Sequence, residues 1–319
     1  MMTPAKYIEK KRIRKTGNFL GLSEILGMAV AYIVIFAIEL IAMLCNVSYN
    51  TILSFPFEMF VQMLYSFLCC VVPFLLCAKL LHFRVGDLVP LKRTKPALTA
   101  LLVFLAMGFS ILGSYVSSLL DGFLSIFGEQ AKMPELTQPT DPMGLILSLL
   151  VIAVAPALME EFAFRGIILG SLRRFGDGFA IFISALMFGM FHGNLVQIPS
   201  AFIMGLALGF ITVVSGSMWP AVLAHFLNNA LATVLPLMYE GLPEQFAATF
   251  DMVLALLIMA CGLAALILLL VLRPERVRWP KPTTHSGFFA KLGWFLSAPM
   301  VLIALLTNIL LIVFVQLVY

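Results

Sequence analysis

Met159-Glu160-Glu161-Phe162-Ala163-Phe164-Arg165 lies in the middle of an apolar run that extends from residue 143 to 172. The flanks on both sides are almost wholly aliphatic, so three ionisable side chains stand where a membrane-spanning helix has its centre. Each charge at that depth costs roughly 2.5–3.5 kcal/mol on insertion scales. Two adjacent glutamates therefore need partners or a task. Helical geometry supplies a partner for one of them. Glu161 and Arg165 are four apart, share a face, and stand in the favourable acid-first order. Glu160 is rotated by about 100° from Glu161 and faces a different neighbour. A desolvated carboxylate without an ion-pair partner is poised to take a proton, which is what a general base does.

The rest of the chain identifies the solvent. Of 319 residues, 62% are hydrophobic and only 11% charged, and the mean hydropathy is +1.06. Soluble domains run nearer half apolar and a quarter charged. A soluble enzyme is excluded because this chain lacks the polar residues to cover its surface. Lipid cannot satisfy unpaired backbone groups, so each apolar run is read as a helix and the fold class as an all-α, polytopic transmembrane helical bundle. The runs 19–45, 57–81, 97–120, 143–172, 178–193, 198–214, 219–239, 247–272 and 292–318 predict eight to nine spans. Those between 178 and 214 are the shortest. The expected organisation is a basic arm (1–18), N-terminal transmembrane helices (19–142), a catalytic core (143–239) and C-terminal transmembrane helices (240–319). The first apolar run is too long for a cleaved signal peptide. No internal repeat appears, which counts against an inverted-repeat transporter. The five cysteines (Cys45, Cys69, Cys70, Cys77, Cys261) show neither a disulfide framework nor a zinc spacing and read as small buried hydrophobes.

Loop charge alternates. The arm holds Lys6, Lys10, Lys11, Arg12, Arg14 and Lys15; loop 82–96 holds Arg84, Lys92, Arg93 and Lys95; the turn at 173–177 holds Arg173 and Arg174; loop 273–291 is again basic. The intervening loops are neutral or acidic, as with Asp121, Glu129, Glu135 and Asp141 against Lys132, and Glu240 with Glu244. The Pro-containing stretch 130–142 reads as an outer loop. The expected orientation places the N-terminus and the basic loops in the cytoplasm. The arm then works as an anchor beside anionic lipid, and a nucleic-acid partner is not expected. The expected location is a bacterial plasma membrane, read from the lack of organelle-sorting signals.

Two further polar interruptions follow: Phe188-Gly189-Met190-Phe191-His192 and His225-Phe226-Leu227-Asn228-Asn229. They contain two of the chain's four histidines. Phe188 and His192 share a helix face, as do His225 and Asn229. Residues 160 and 192 lie equally far from Gly176, so an antiparallel hairpin turning there brings Glu160 and His192 to one level, about 24 Å along each helix. His225 lies only nine residues past Gly216, about 13 Å, and fits that level less well. Taken singly, the Glu–Arg pair could lock packing, Asn229 could join helices, and Phe188 could be core. Their joint occurrence in consecutive helices favours a site. Asn194 and Asn228 read as structural.

At these residues the sequence resembles the CAAX protease and bacteriocin-processing (Abi) family of intramembrane proteases. The pattern is Glu-Glu-x-x-x-Arg, then Phe-x-x-x-His, then His-x-x-x-Asn. It is matched by Glu160-Glu161 with Arg165, Phe188 with His192, and His225 with Asn229 over about 85 residues. The resemblance implies hydrolysis of a peptide bond within the membrane, from the cytoplasmic side, on a peptide or protein substrate. Glu160 and His192 would activate water, His225 and Asn229 would stabilise the oxyanion, and Glu161, Arg165 and Phe188 would order the site. Glu160, His192 and His225 could also supply three ligands to a divalent metal such as Zn2+ with an open fourth position. The family has been described in both ways and the sequence lacks a His-Glu-x-x-His helix, so no cofactor and a zinc ion both stay open. Water activation without metal is the preferred expectation. The competing expectations are a bacteriocin-immunity or scaffolding protein that dispenses with catalysis, and a small-solute or proton transporter that uses the same residues as a relay.

Overall fold

The computed structural model of the chain describes residues 2–48, 51, 54–127, 138–272 and 284–318. Most of the stretch 130–142 and the basic residues Arg273, Arg276, Arg278 and Lys281 lie outside the described residues. The chain is helical: α1 (Pro4–Leu44), α2 (Phe55–Cys70), α3 (Val72–Leu80), the single turn α4 (Val85–Leu88) and α5 (Pro96–Ser125) come first. Then follow α6 (Pro142–Phe175), α7 (Asp177–Phe191), α8 (Gln197–Ser215), α9 (Trp219–Tyr239), α10 (Glu244–Leu272), α11 (Phe288–Leu296) and α12 (Pro299–Val318). Among the described residues no strand is formed beyond one isolated bridge.

Among the described residues seven helical stretches, counting α2 with α3 as one (Phe55–Leu80), are long and apolar enough to cross a membrane, or eight if α11 and α12, bent by 74° at their junction, make one span. The expected fifth run is the difference. The helix there, α7, has 15 residues, about 22 Å, which falls short of a hydrocarbon core of about 30 Å. It ends at His192 because Gly193 turns into the left-handed region (φ 61°). The Asn194 side chain then accepts from Val196 N and Gln197 N and starts α8. The expected basic arm is not separate from the first span: α1 begins at Pro4, and Glu9, Ile13 and Thr16 are buried. Cys69, Cys70 and Cys77 are buried as expected, whereas Cys45 and Cys261 are exposed.

The central layer is a four-helix core, α6 to α9. Helix α8 packs between α5 and α7, and α9 lies against α5 and the first half of α6. Helices α11 and α12 lie against α7, and α1 packs on α11, α12, α2 and α3. Helix α6 is irregular, with π-helical turns at Leu149–Val154 and Phe162–Ile168 around an α-helical piece, Ala155–Glu161. Such turns are rare and widen a helix, re-aiming its side chains.

One loop sets the height of the core. Residues 88–91 lie against α6 so closely that a Cβ on Gly170 would sit 2.6 Å from the Leu88 carbonyl oxygen, and one on Gly166 2.9 Å from Val89. The same loop holds the α8–α9 turn: Met218 N donates to Pro90 O at 2.8 Å, and Leu91 bridges to Ser217. That turn is therefore level with residues 166–170 of α6 and not with the turn at Gly176, a difference on the order of 10 Å along the helix. This raised turn removes the mismatch in depth expected for His225.

Candidate active site

Glu161 is the hub. Its Oε1 accepts from Arg165 Nη1 at 2.9 Å and from His225 Nδ1 at 2.9 Å. Arg165 and Glu161 are fully buried, and His225 nearly so. Arg165 also donates to Gly205 O of α8 at 3.4 Å, and its guanidinium lies 4.4 Å from the centroid of the Phe188 ring. The expected i, i+4 pair is thus present, and it is anchored on three other helices. Ser184 of α7 donates to Phe164 O at 2.8 Å, which ties a carbonyl of the π-helical turn to the neighbouring helix.

Phe188 is the spacer of the site. It is buried, with its ring 4.9 Å from that of His192, 5.7 Å from that of His225 and 5.1 Å from that of Phe164, all edge-on. The two histidines therefore flank one aromatic ring. His192 Nδ1 is 2.8 Å from Phe188 O. A carbonyl can only accept, so Nδ1 carries the proton and Nε2 keeps its lone pair. By the same logic His225 Nδ1 donates to the Glu161 carboxylate, and its Nε2 faces Glu160 Oε2 at 3.9 Å.

Glu160 is buried, and its Oε2 has no hydrogen-bond partner among the described residues. A buried carboxylate oxygen of that kind calls for an explanation, because an unmet acceptor is costly to keep. Its nearest cationic or imidazole partner is His225, whereas the contact expected from the hairpin was with His192. No hydrogen bond or ion pair joins Glu160 to His192 among the described residues. Glu160 instead lies against His225, and His192 against Phe188. The turn at Gly176 does bring α6 and α7 together, but the π-helical turn at Phe162–Ile168 alters the helix phase on which the direct contact was counted.

Asn229 is placed by a proline. Pro156 has no N–H to give to the carbonyl four residues before it, that of Ile152. Asn229 Nδ2 donates to Ile152 O at 3.1 Å and fills that vacancy in the ladder. Asn229 Oδ1 accepts from Asn228 Nδ2 at 3.1 Å, and Ser110 of α5 donates to Asn228 Oδ1. One N–H of the Asn229 amide is thereby fixed and the other is left over. Asn228, read from sequence as merely structural, orients this amide. Its neighbour's motif gave no hint of that, because adjacent helix positions point about 100° apart. Cys69 and Cys70 lie on α2, which packs on the Ala155–Glu161 piece of α6.

Among the described residues no three His, Cys, Asp or Glu side chains converge on a common ion position. Glu160 and His225 face each other, but His192 does not complete a triad with them. The arrangement does not fit a three-ligand zinc site.

Comparison with known proteins agrees with the motifs. Residues 142–231 match the family model "Type II CAAX prenyl endopeptidase Rce1-like". The chain is 28% identical over 92 residues to "Putative membrane peptidase YdiL" of Bacillus subtilis (strain 168). That similarity spans 28% of this chain and 38% of the relative. No solved structure shows significant similarity. The matched segment contains every motif residue, from Glu160 to Asn229. Over residues 142–231, which hold all the motif residues, this integral membrane chain is thus similar to the Rce1-like CAAX prenyl endopeptidases.

Proposed function

We propose that the chain is an intramembrane endopeptidase that hydrolyses a peptide bond with water activated by Glu160 and His192. One observation carries this reading. A buried carboxylate with an unmet oxygen, that of Glu160, faces His225 at 3.9 Å, and His225 and His192 flank the ring of Phe188.

The roles follow from the hydrogen bonds. Glu160 Oε2 and His192 Nε2 are both acceptors, so a water held by them presents its oxygen to a carbonyl carbon and gives up a proton as it attacks. The negative oxygen that develops needs donors. The second Asn229 N–H is one, and His225 Nε2 becomes another when that ring carries two protons. Glu161 and Arg165 act as a buried clamp that fixes the His225 tautomer. Phe188 keeps the two imidazoles apart and walls the site from lipid. No step passes through a metal.

The substrate is a membrane-associated peptide or protein, of prenylated-tail or leader type, at a membrane read here as the bacterial plasma membrane with the N-terminus cytoplasmic. The test is a screen of peptides embedded in proteoliposomes with purified protein, read by mass spectrometry for new termini. Cleavage by the wild type that disappears in His192→Ala supports the proposal. Peptide cleavage unchanged in His192→Ala, or solute flux without any cleavage, would contradict it, the latter in favour of a relay transporter.

A further inference from the structure

The first turns of α1 are two-faced. Glu9, Ile13, Thr16 and Leu20 point into the bundle, where Thr16 Oγ1 accepts from Arg174 at 2.8 Å. The outward face carries Lys10, Lys11, Arg14 and Lys15. These four line a cavity of about 660 Å³, together with Phe19 and Pro299. The cavity is a notch made by a bend: α11 and α12 meet at 74°, and the corner is pinned to α1. Arg14 Nη2 donates to Ser297 O at 3.3 Å, and Asn18 Oδ1 accepts from Met300 N at 3.1 Å.

The chemistry of the lining is one-sided. No carboxylate lines the notch, and among the described residues none of the four cations forms an ion pair with Asp or Glu. Four cations gathered at one concave site repel each other and favour an anion between them. The notch also has a fixed height. Immediately beyond it the outer face of α1 turns apolar, with Leu26, Val30, Ile33 and Phe36 exposed, and the adjacent face of α12 exposes Leu302, Ile303, Leu306 and Leu310. Phe19 and Pro299 stand on the border between the cationic and the apolar zones. That is the level of the phosphate layer of a bilayer, with a surface for acyl chains directly below it.

We propose that this notch binds the headgroup of one anionic phospholipid, its phosphate held by Lys10, Lys11, Arg14 and Lys15 and its chains lying along α1 and α12. The lipid clamps α1 to the α11–α12 corner. That corner packs on α7, the helix that carries Phe188 and His192. A free phosphate would satisfy the cations but would leave the apolar border without an occupant.

The test uses the full chain in nanodiscs of phosphatidylcholine with or without phosphatidylglycerol, stripped gently and weighed by native mass spectrometry. The wild type is expected to retain one phosphatidylglycerol in preference to phosphatidylcholine. Lys10→Ala with Arg14→Ala should weaken retention about thirtyfold, from the usual contribution of each basic residue at an anionic surface. Lys10→Arg with Arg14→Lys should retain it within a few-fold, and Lys92→Ala with Lys95→Ala, in a separate basic loop, should leave it unchanged. If the first pair fails to fold by its melting curve, Lys11→Ala with Lys15→Ala, both exposed, gives the same reading. Equal retention of the two lipids, unaltered retention in the alanine pair, or displacement of the lipid by millimolar inorganic phosphate would each overturn the proposal.

Discussion

Arg165→Met removes the guanidinium of the buried cluster while keeping most of the side chain's volume. Arg165 and Glu161 both have 0% side-chain exposure and are 2.9 Å apart. Water cannot reach the carboxylate left behind. Breaking a buried pair by deleting one partner costs about 3–5 kcal/mol, because the surviving charge is stranded. Here the guanidinium also loses its place over the Phe188 ring and its bond to Gly205 O, so the upper half of that range applies. The thermal midpoint of the purified protein should fall by on the order of 10 °C. Glu161→Gln alone should also destabilise, since it strands Arg165. The double variant Arg165→Met/Glu161→Gln should recover most of the loss, because neutral Gln still offers an oxygen to His225 Nδ1 and no charge is left unpaired. The assay is thermal unfolding of all four proteins in one detergent. A single Arg165→Met variant within about 1 kcal/mol of the wild type, or a double variant whose loss is the sum of the two singles, would refute the account of Glu161 and Arg165 as a desolvated, mutually dependent pair.

Other expectations follow from the same geometry. Asn229→Ala should lower peptidase turnover by about 10²–10³-fold as an oxyanion donor is lost. It should also cost about 1–3 kcal/mol of stability by orphaning Ile152 O; steady-state kinetics and melting curves on one preparation separate the two effects. Asn228→Ala, which only orients that amide, should reduce turnover less than Asn229→Ala does. Gly170→Ala forces a methyl to 2.6 Å from the Leu88 carbonyl and should destabilise by about 1–3 kcal/mol. Gly86→Ala, with nothing within 4 Å, serves as its control in the same melts. Peptidase activity should survive exhaustive chelation, since the donors do not converge on one ion; loss of activity restored by zinc would count against that.

The membrane bundle and the motif residues were legible in the sequence because both rest on short-range rules. Apolar run length identifies helices, and i, i+4 spacing pairs Glu161 with Arg165 and sets Phe188 against His192. What was not legible depends on departures from regular helix. The π-helical turns in α6 shift the phase on which a Glu160–His192 contact was counted. The short α7 ends where Gly193 and Asn194 reset the backbone, inside a run that composition alone extends. The height of His225 is fixed by residues 88–91, far away in the chain, through Pro90 and the close approach at Gly170. The Asn229 link to Ile152 was half visible: Pro156 announces a free carbonyl, but only the fold says which side chain takes it. The arm reads as an anchor from its six cations, and the notch that four of them line appears only once the α11–α12 bend is seen.

The central claim is that Glu160 delivers water to a peptide bond. It is tested most directly by the cleavage rate of an identified substrate in wild type and in Glu160→Gln, run in 18O-labelled water. Gln keeps the size of the side chain and removes its capacity as a base. The account predicts one 18O in the new C-terminal carboxylate with the wild type. In Glu160→Gln it predicts a fall in turnover of about 10²–10⁴-fold with the melting temperature held or raised, since a buried charge is removed. Turnover within a few-fold of wild type in a folded Glu160→Gln protein would contradict it.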